Sequence, residues 1–143
     1  MAANGYRRKY IERTSNRGAG YIGSHVVEEL VQKGYTPFVY DNFSTGHVNA
    51  VPETVQLIEG DIHDFSFLKH IMGQYEIDGV LHFAASSQVG ESMVNPGKYY
   101  YNNVAGTGLL DAMREAGVDK LVFSSTAAVY GEPEAVPITE DMP

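Results

Sequence analysis

Four compact apolar runs, "TPFVYD", "TVQLIEGD", "DGVLHFAA" and "DKLVFSS", are separated along the chain by stretches with helical periodicity. Nothing else in the sequence constrains the fold as tightly. Short apolar runs without strict alternation belong to strands buried on both faces, and strands alternating with helices build a parallel sheet between two helical layers. The expected fold class is α/β, a doubly wound parallel sheet. In "YIGSHVVEELVQK", Ile22, Val26, Val27, Leu30 and Val31 fall on one helical stripe, with Gly34 as its stop. In "DFSFLKHIMGQY", Asp64 is the expected N-cap, and Phe67, Leu68, Ile71 and Met72 form the apolar side. "NPGKYYYNNVAGTGLLDAMREAG" reads as one long helix opened at Asn95-Pro96 and closed at Gly117.

A chain of 143 residues holds one such domain. It lacks cysteine, which excludes disulfides and thiolate metal sites and fits a reducing, cytoplasmic setting. Its five histidines, His25, His47, His63, His70 and His82, show no ligand-like spacing, so no metal is expected and they read as surface or packing residues. No apolar run is long enough to span a membrane. The net charge of −8 argues against nucleic acid as a partner. That charge is uneven: Arg7, Arg8, Lys9, Arg13 and Arg17 crowd the first 17 positions, opposed only by Glu12.

Polar residues gather where the strands end: Asp41 and Asn42, Asp61, Ser86 and Ser87, and Ser124 to Thr126. Ligands of open α/β sheets bind at those ends. Gly18-x-Gly20-x-x-Gly23 stands immediately before the first helix. Glycines there permit a tight turn and let backbone N–H groups approach a pyrophosphate at the helix N-terminus. Asp41 follows Gly23 by 18 residues, at the end of the next strand, where a carboxylate accepts hydrogen bonds from ribose hydroxyls. Helix, strand and acidic tip in that order make a Rossmann-type dinucleotide site the expected one.

The segment leading into the loop does not match. "KYIERTSN" must supply the first strand, yet after Tyr10 and Ile11 it continues with Glu12, Arg13, Thr14, Ser15 and Asn16. Burying unpaired charges in a central strand costs several kcal/mol each, as an order of magnitude. Residues 1–17 therefore read as an atypical polar and basic segment in place of a clean first strand.

"RGAGYIGSHVVEELVQKGY", "VYDNFSTGH", "EGDIHD", "VLHFAASSQVGESM", "YYYNNVAGT" and "KLVFSSTAAVYGEPEAVPITED" together resemble the UDP-hexose 4-epimerases of the extended short-chain dehydrogenase/reductase family, from about Gly18 onward. The resemblance implies that residues 18–143 are a partial NAD-binding Rossmann domain, truncated after about five strands, without the family's C-terminal substrate domain. It implies a cofactor loop of Gly18, Gly20, Tyr21, Ile22 and Gly23, with Gly20 and Gly23 lining the pyrophosphate. Asp41 and Asn42 would hold the adenosine ribose, and Asp61 and Ile62 would border the adenine, Asp61 accepting from its amino group. Phe83, Ala84, Ala85, Ser86 and Ser124 would lie along the cofactor, and Asn103 would reach it from the long helix. Thr126 would be catalytic, hydrogen-bonded to the sugar 4-hydroxyl.

The family reaction removes a hydride from C4 of a UDP-hexose by way of NAD and returns it to the other face of a 4-keto intermediate. A Tyr-x-x-x-Lys pair handles the proton, by the usual pKa tuning. No such pair occurs in residues 1–143: Tyr130 is followed at that spacing by Glu134. Arg17 stands where the family's TGxxGxxG pattern has its first glycine, and Asn16 where it has Thr. The implied partners are a UDP-sugar and a second copy in a homodimer. Two other readings stay open: a non-catalytic NAD-binding or interaction module, and a sugar-nucleotide dehydratase or decarboxylase.

Overall fold

The computed structural model describes residues 9–14, 19–44, 46–83, 89–105, 107–132 and 136–142. Its elements are β1 (Lys9–Thr14), α1 (Tyr21–Gln32), β2 (Thr36–Asp41), β3 (Gln56–Glu59), α2 (Phe65–Gln74), β4 (Gly79–His82), α3 (Val89–Val94), α4 (Pro96–Ala105), α5 (Gly108–Ala116) and β5 (Leu121–Phe123). Short 3-10 turns lie at Val48–Ala50 and Ala127–Tyr130. The strands form one five-stranded sheet in the order β3-β2-β1-β4-β5, and every pairing is parallel. The chain winds outward from β1 through β2 to β3, then crosses to β4 on the other side of β1. In open α/β sheets ligands bind beyond the carboxyl ends of the strands at such a reversal, here β1 and β4.

The polar segment does form the central strand. Glu12 pairs in register with Val39 on one side and Leu81 on the other, and Arg13 with Tyr40 and His82. Ladder hydrogen bonds on both edges satisfy the backbone whatever the side chains are.

β2 shows why its run is apolar throughout. Phe38 and Tyr40 enter a core with Leu68, Ile71 and Met72 of α2 and Leu109, Ala112 and Met113 of α5. Val39, between them, points to the opposite face, into a core with Val27 of α1 and Ala19, Val51 and Val55. Alternation along the strand thus feeds two cores. Of the α1 stripe, only Val27 is fully buried, and Ile22 and Val31 are exposed, because the described residues cover α1 on its sheet side alone.

The expected caps are present. Asp64 accepts from Phe67 N–H at 2.9 Å, at the start of α2. Gly34 and Gly117 take φ of 81° and 74° just past α1 and α5, a left-handed turn that glycine adopts without strain.

The long helix is two. α4 ends at Ala105 and α5 begins at Gly108, with Thr107 Oγ1 bonding back to Val104 O at 2.8 Å. Glycine weakens a helix by about 1 kcal/mol relative to alanine, and "GTG" places two within three residues. Gly108 also needs its missing Cβ, which would overlap the Phe65 ring. The short helix α3 lies before Asn95 and has no counterpart in the sequence reading; six residues are too few for periodicity to show.

Candidate functional site

The carboxyl ends of the strands carry the expected residues. Gly20 is the N-cap of α1, and no described side chain caps that helix. The first N–H groups of α1, those of Tyr21, Ile22 and Gly23, therefore form a donor cluster at a helix mouth. Gly18, Ala84, Ala85 and Ser86 lie outside the described residues.

The glycine loop is bonded directly to the end of β2. Ala19 N–H donates to Asp41 Oδ2 at 2.9 Å, and Phe43 N–H donates to Asp41 Oδ1 at 2.7 Å. His47 N–H reaches Ala19 O at 2.9 Å, and Gly46 sits so close to Ala19 that a Cβ there would lie 2.8 Å from the Ala19 Cβ. Asp41 is 0% exposed. Its carboxylate braces the loop from beneath, with both oxygens engaged by backbone donors.

Beside it, Asn42 Oδ1 accepts from Ser44 N–H at 3.1 Å and from Ser44 Oγ at 2.8 Å. Asn42 Nδ2 lies 3.4 Å from Asp61 Oδ2, which joins the end of β2 to the loop after β3. Tyr40 donates its hydroxyl to Asp61 O at 2.8 Å from below. Asp61 Oδ1 accepts from His63 N–H at 2.9 Å and contacts the His63 ring at Nδ1. Asp41, Asn42 and Asp61 thus share one local device: a side-chain oxygen that accepts from the N–H two residues on, bending the chain sharply at a strand end.

These contacts set the charge of Asp61. Burial raises its carboxyl, but the His63 N–H, the His63 ring and the Asn42 amide outweigh burial and hold it below the ordinary aspartate value. Ile62 is buried beneath. His63, read from sequence as a surface or packing residue, and Tyr101 belong to this cluster: their rings stack with centroids 4.2 Å apart, and His63 Nε2 lies 3.3 Å from Tyr101 O. The Asp-x-His spacing was the available signal, since it suits the turn that aims the ring back at the carboxylate.

On the other side of β1, Ser124 N–H donates to His82 O at 3.0 Å, carrying the β5 end alongside that of β4. Phe83 is half-buried there, Ser124 is half-buried, and Thr126 is exposed. Asn103 is exposed on α4 and accepts from Asn102 Nδ2 at 3.1 Å. The described contacts bring together the Ala19–Gly20 turn, Asp41, Asn42 and Asp61. They do not join Asn103 or Thr126 to that group. The tyrosine run divides: Tyr99 is buried and donates to Glu91 Oε2 at 2.8 Å, while Tyr100 and Tyr101 are largely exposed. Glu91, in the first turn of α3, also holds Lys98 Nζ at 2.6 Å, a structural role. Among the described residues no cluster of His, Asp and Glu is arranged to hold a metal. No helix among them is long and apolar enough to cross a membrane.

Comparison with known proteins extends this geometry. Residues 18–143 match the family described as GDP-mannose 4,6 dehydratase. The chain is 56% identical over 128 residues to the UDP-glucose 4-epimerase of Streptomyces lividans, covering 88% of this chain and 39% of that protein. The UDP-glucose 4-epimerase of Brucella ovis, solved in complex with NAD, superposes with a TM-score of 0.82 at 46% identity, covering 94% of this chain and 41% of the other. The Bifidobacterium longum enzyme, solved with NAD+ and UDP, gives 0.82 at 36% identity, covering 94% and 42%. The chain spans well under half the length of these relatives. Because the match runs from the glycine loop to the last residue, the chain belongs to the epimerase/dehydratase family and is a homologue of the UDP-glucose 4-epimerases.

Proposed function

We propose that the chain is the NAD-binding part of a cytoplasmic UDP-glucose 4-epimerase, an isomerase that interconverts UDP-galactose and UDP-glucose through a 4-keto intermediate. The observation that carries this reading is the 2.9 Å bond from Ala19 N–H to Asp41, which ties the glycine loop to the acidic strand end, in a chain 46% identical to an epimerase solved with NAD. The site's chemistry suits that cofactor. Gly18, Gly20, Tyr21, Ile22 and Gly23 would supply the loop whose N–H groups meet a pyrophosphate. Asn42 and Asp41 would hold the adenosine ribose; each Asp41 oxygen has a second acceptor site beside its backbone donor. Asp61, ionised and half-exposed, accepts from the adenine amino group above Ile62. Phe83, Ala84, Ala85, Ser86 and Ser124 would lie along the cofactor, and Asn103 would contact it from α4. Thr126 hydrogen-bonds the sugar 4-hydroxyl.

NAD supplies the hydride acceptor and donor at C4. The proton must be moved by a group outside this set, since no tyrosine in residues 1–143 has lysine four positions on. The complete protein takes a UDP-sugar and works as a homodimer, a role for which the exposed Tyr100, Tyr101 and Val104 of α4 offer apolar surface.

Calorimetry of the chain with NAD tests the cofactor reading, and failure to bind at any attainable concentration removes it. Replacing residues 13–17 with an apolar strand end and a Thr-Gly-Gly turn is expected to strengthen binding. Unchanged affinity would show that the polar approach is harmless. Incubation with UDP-galactose and NAD is expected to give no UDP-glucose from residues 1–143 alone, and UDP-glucose from a protein that carries the missing pair. The match to the GDP-mannose 4,6 dehydratase family supports a second reading, a sugar-nucleotide dehydratase. Deoxy-keto sugar among the products would favour it.

A further inference from the structure

His63 joins two parts of the molecule that are distant in sequence. Its ring is mostly covered, at 19% side-chain exposure, while the Asp61 side chain is 52% exposed. An ionised carboxylate only accepts, so the contact with Asp61 Oδ1 requires the proton on His63 Nδ1. The opposite nitrogen faces the backbone carbonyl of Tyr101, 38 residues away on α4, and the rings stack at an interplanar angle of 30°. Oδ1 therefore takes two donors from His63, its N–H and its ring. Oδ2 has only the long 3.4 Å contact with Asn42. The two contacts from His63 hold Oδ1, which leaves Oδ2 of a half-exposed carboxylate the less engaged oxygen among the described residues.

We propose that His63 is a positioning residue for purine recognition, locking Asp61 so that Oδ2 is presented as an acceptor that selects a ring bearing an exocyclic amine over one bearing a carbonyl. The inference rests on the NAD reading above and names the residue that sets selectivity at its adenine end. A freely rotating carboxylate offers the same oxygens but loses orientation, and a fixed acceptor discriminates because a carbonyl facing it leaves two acceptors opposed. Tyr101 completes the device by covering the ring and holding α4 over the loop.

Two ligands and two variants test it on the full 143-residue chain. NAD and its hypoxanthine analogue differ at the exocyclic group in question and in the proton that the analogue carries on the adjacent ring nitrogen. By calorimetry the wild-type chain is expected to prefer NAD by about tenfold or more, the scale of one charge-assisted hydrogen bond. His63→Phe keeps a ring for Tyr101 to stack on but removes both polar contacts. It is expected to bring the preference near unity, mainly by weakening NAD. His63→Asn keeps a donor near the Nδ1 position and loses the stack, and is expected to retain most of the preference. A His63→Phe chain with the wild-type ratio overturns the positioning role. A wild-type chain that binds neither dinucleotide overturns the NAD reading and this inference together. The contact itself is tested without ligand: Asp61→Asn is expected to shift the 15N resonances of the His63 ring, and unchanged resonances would sink the lock.

Discussion

β2 and β5 look alike in sequence, "TPFVYD" and "KLVFSS", each an apolar run ending in polar residues. In the fold they differ sharply. Phe38, Val39, Tyr40 and Asp41 are all buried, whereas Leu121, Val122 and Phe123 are 39%, 59% and 55% exposed. β2 lies between two strands, with α1 on one face and α2 and α5 on the other. β5 is the edge of the sheet, paired only to β4, and the described residues leave its side chains open. Apolar character in a parallel strand records that two covered faces are expected. It does not record which part of the polypeptide does the covering.

The contrast can be broken by mutation. Leu68, on α2 under the β2 face, has no exposed surface, and Leu68→Ala is expected to lose about 2–5 kcal/mol of unfolding free energy in denaturant titration. A loss below that of an ordinary surface substitution would mean that the α2 side of the sheet is no better packed than β5. Asp41→Asn probes the polar end of the same strand. An amide oxygen can serve only one of the two backbone donors well, so a loss of about 1–3 kcal/mol is expected, with weaker NAD binding.

Acid should loosen α3 from α4. The Lys98 ammonium and then the Tyr99 hydroxyl hold Glu91 below the ordinary glutamate value of 4.5. Because the folded value is the lower one, the tie is intact above 4.5 and is lost as pH falls through the depressed value. Earlier hydrogen exchange at Asn95 N–H, which donates to Glu91 O, is the expected sign. The smallest effect belongs to β5: Val122→Ser should change stability by no more than about 0.5 kcal/mol. It should also reduce any self-association seen by light scattering, since it adds polarity to an open edge.

Much of this was legible in the sequence, for a physical reason in each case. Asp64 as a cap and Gly34 and Gly117 as stops are local rules, and the structure obeys them. β1 was legible only in place. Its composition argued against a central strand, yet Lys9–Thr14 takes that position by backbone pairing. The break at Thr107 is marked in the sequence only by its two glycines, and the closeness of Gly108 to the Phe65 ring is a tertiary feature that the sequence does not show. The inward turn of Asp41 and the His63–Tyr101 stack depend on groups 22 and 38 residues apart, a range at which single-chain patterns carry no signal.

The placement of β1 carries a consequence for how the protein comes apart. β2 and β3 bond to each other, as do β4 and β5, but neither pair touches the other through the ladder; only Lys9–Thr14 spans both. A protease that clipped the chain just after Thr14 and released the leading peptide would leave two separate two-stranded ribbons. They would then be joined by side-chain packing, chiefly the core that Phe38 and Tyr40 share with α2, Val80 and α5. The strand that carries Glu12 and Arg13 is thus also the keystone of the sheet.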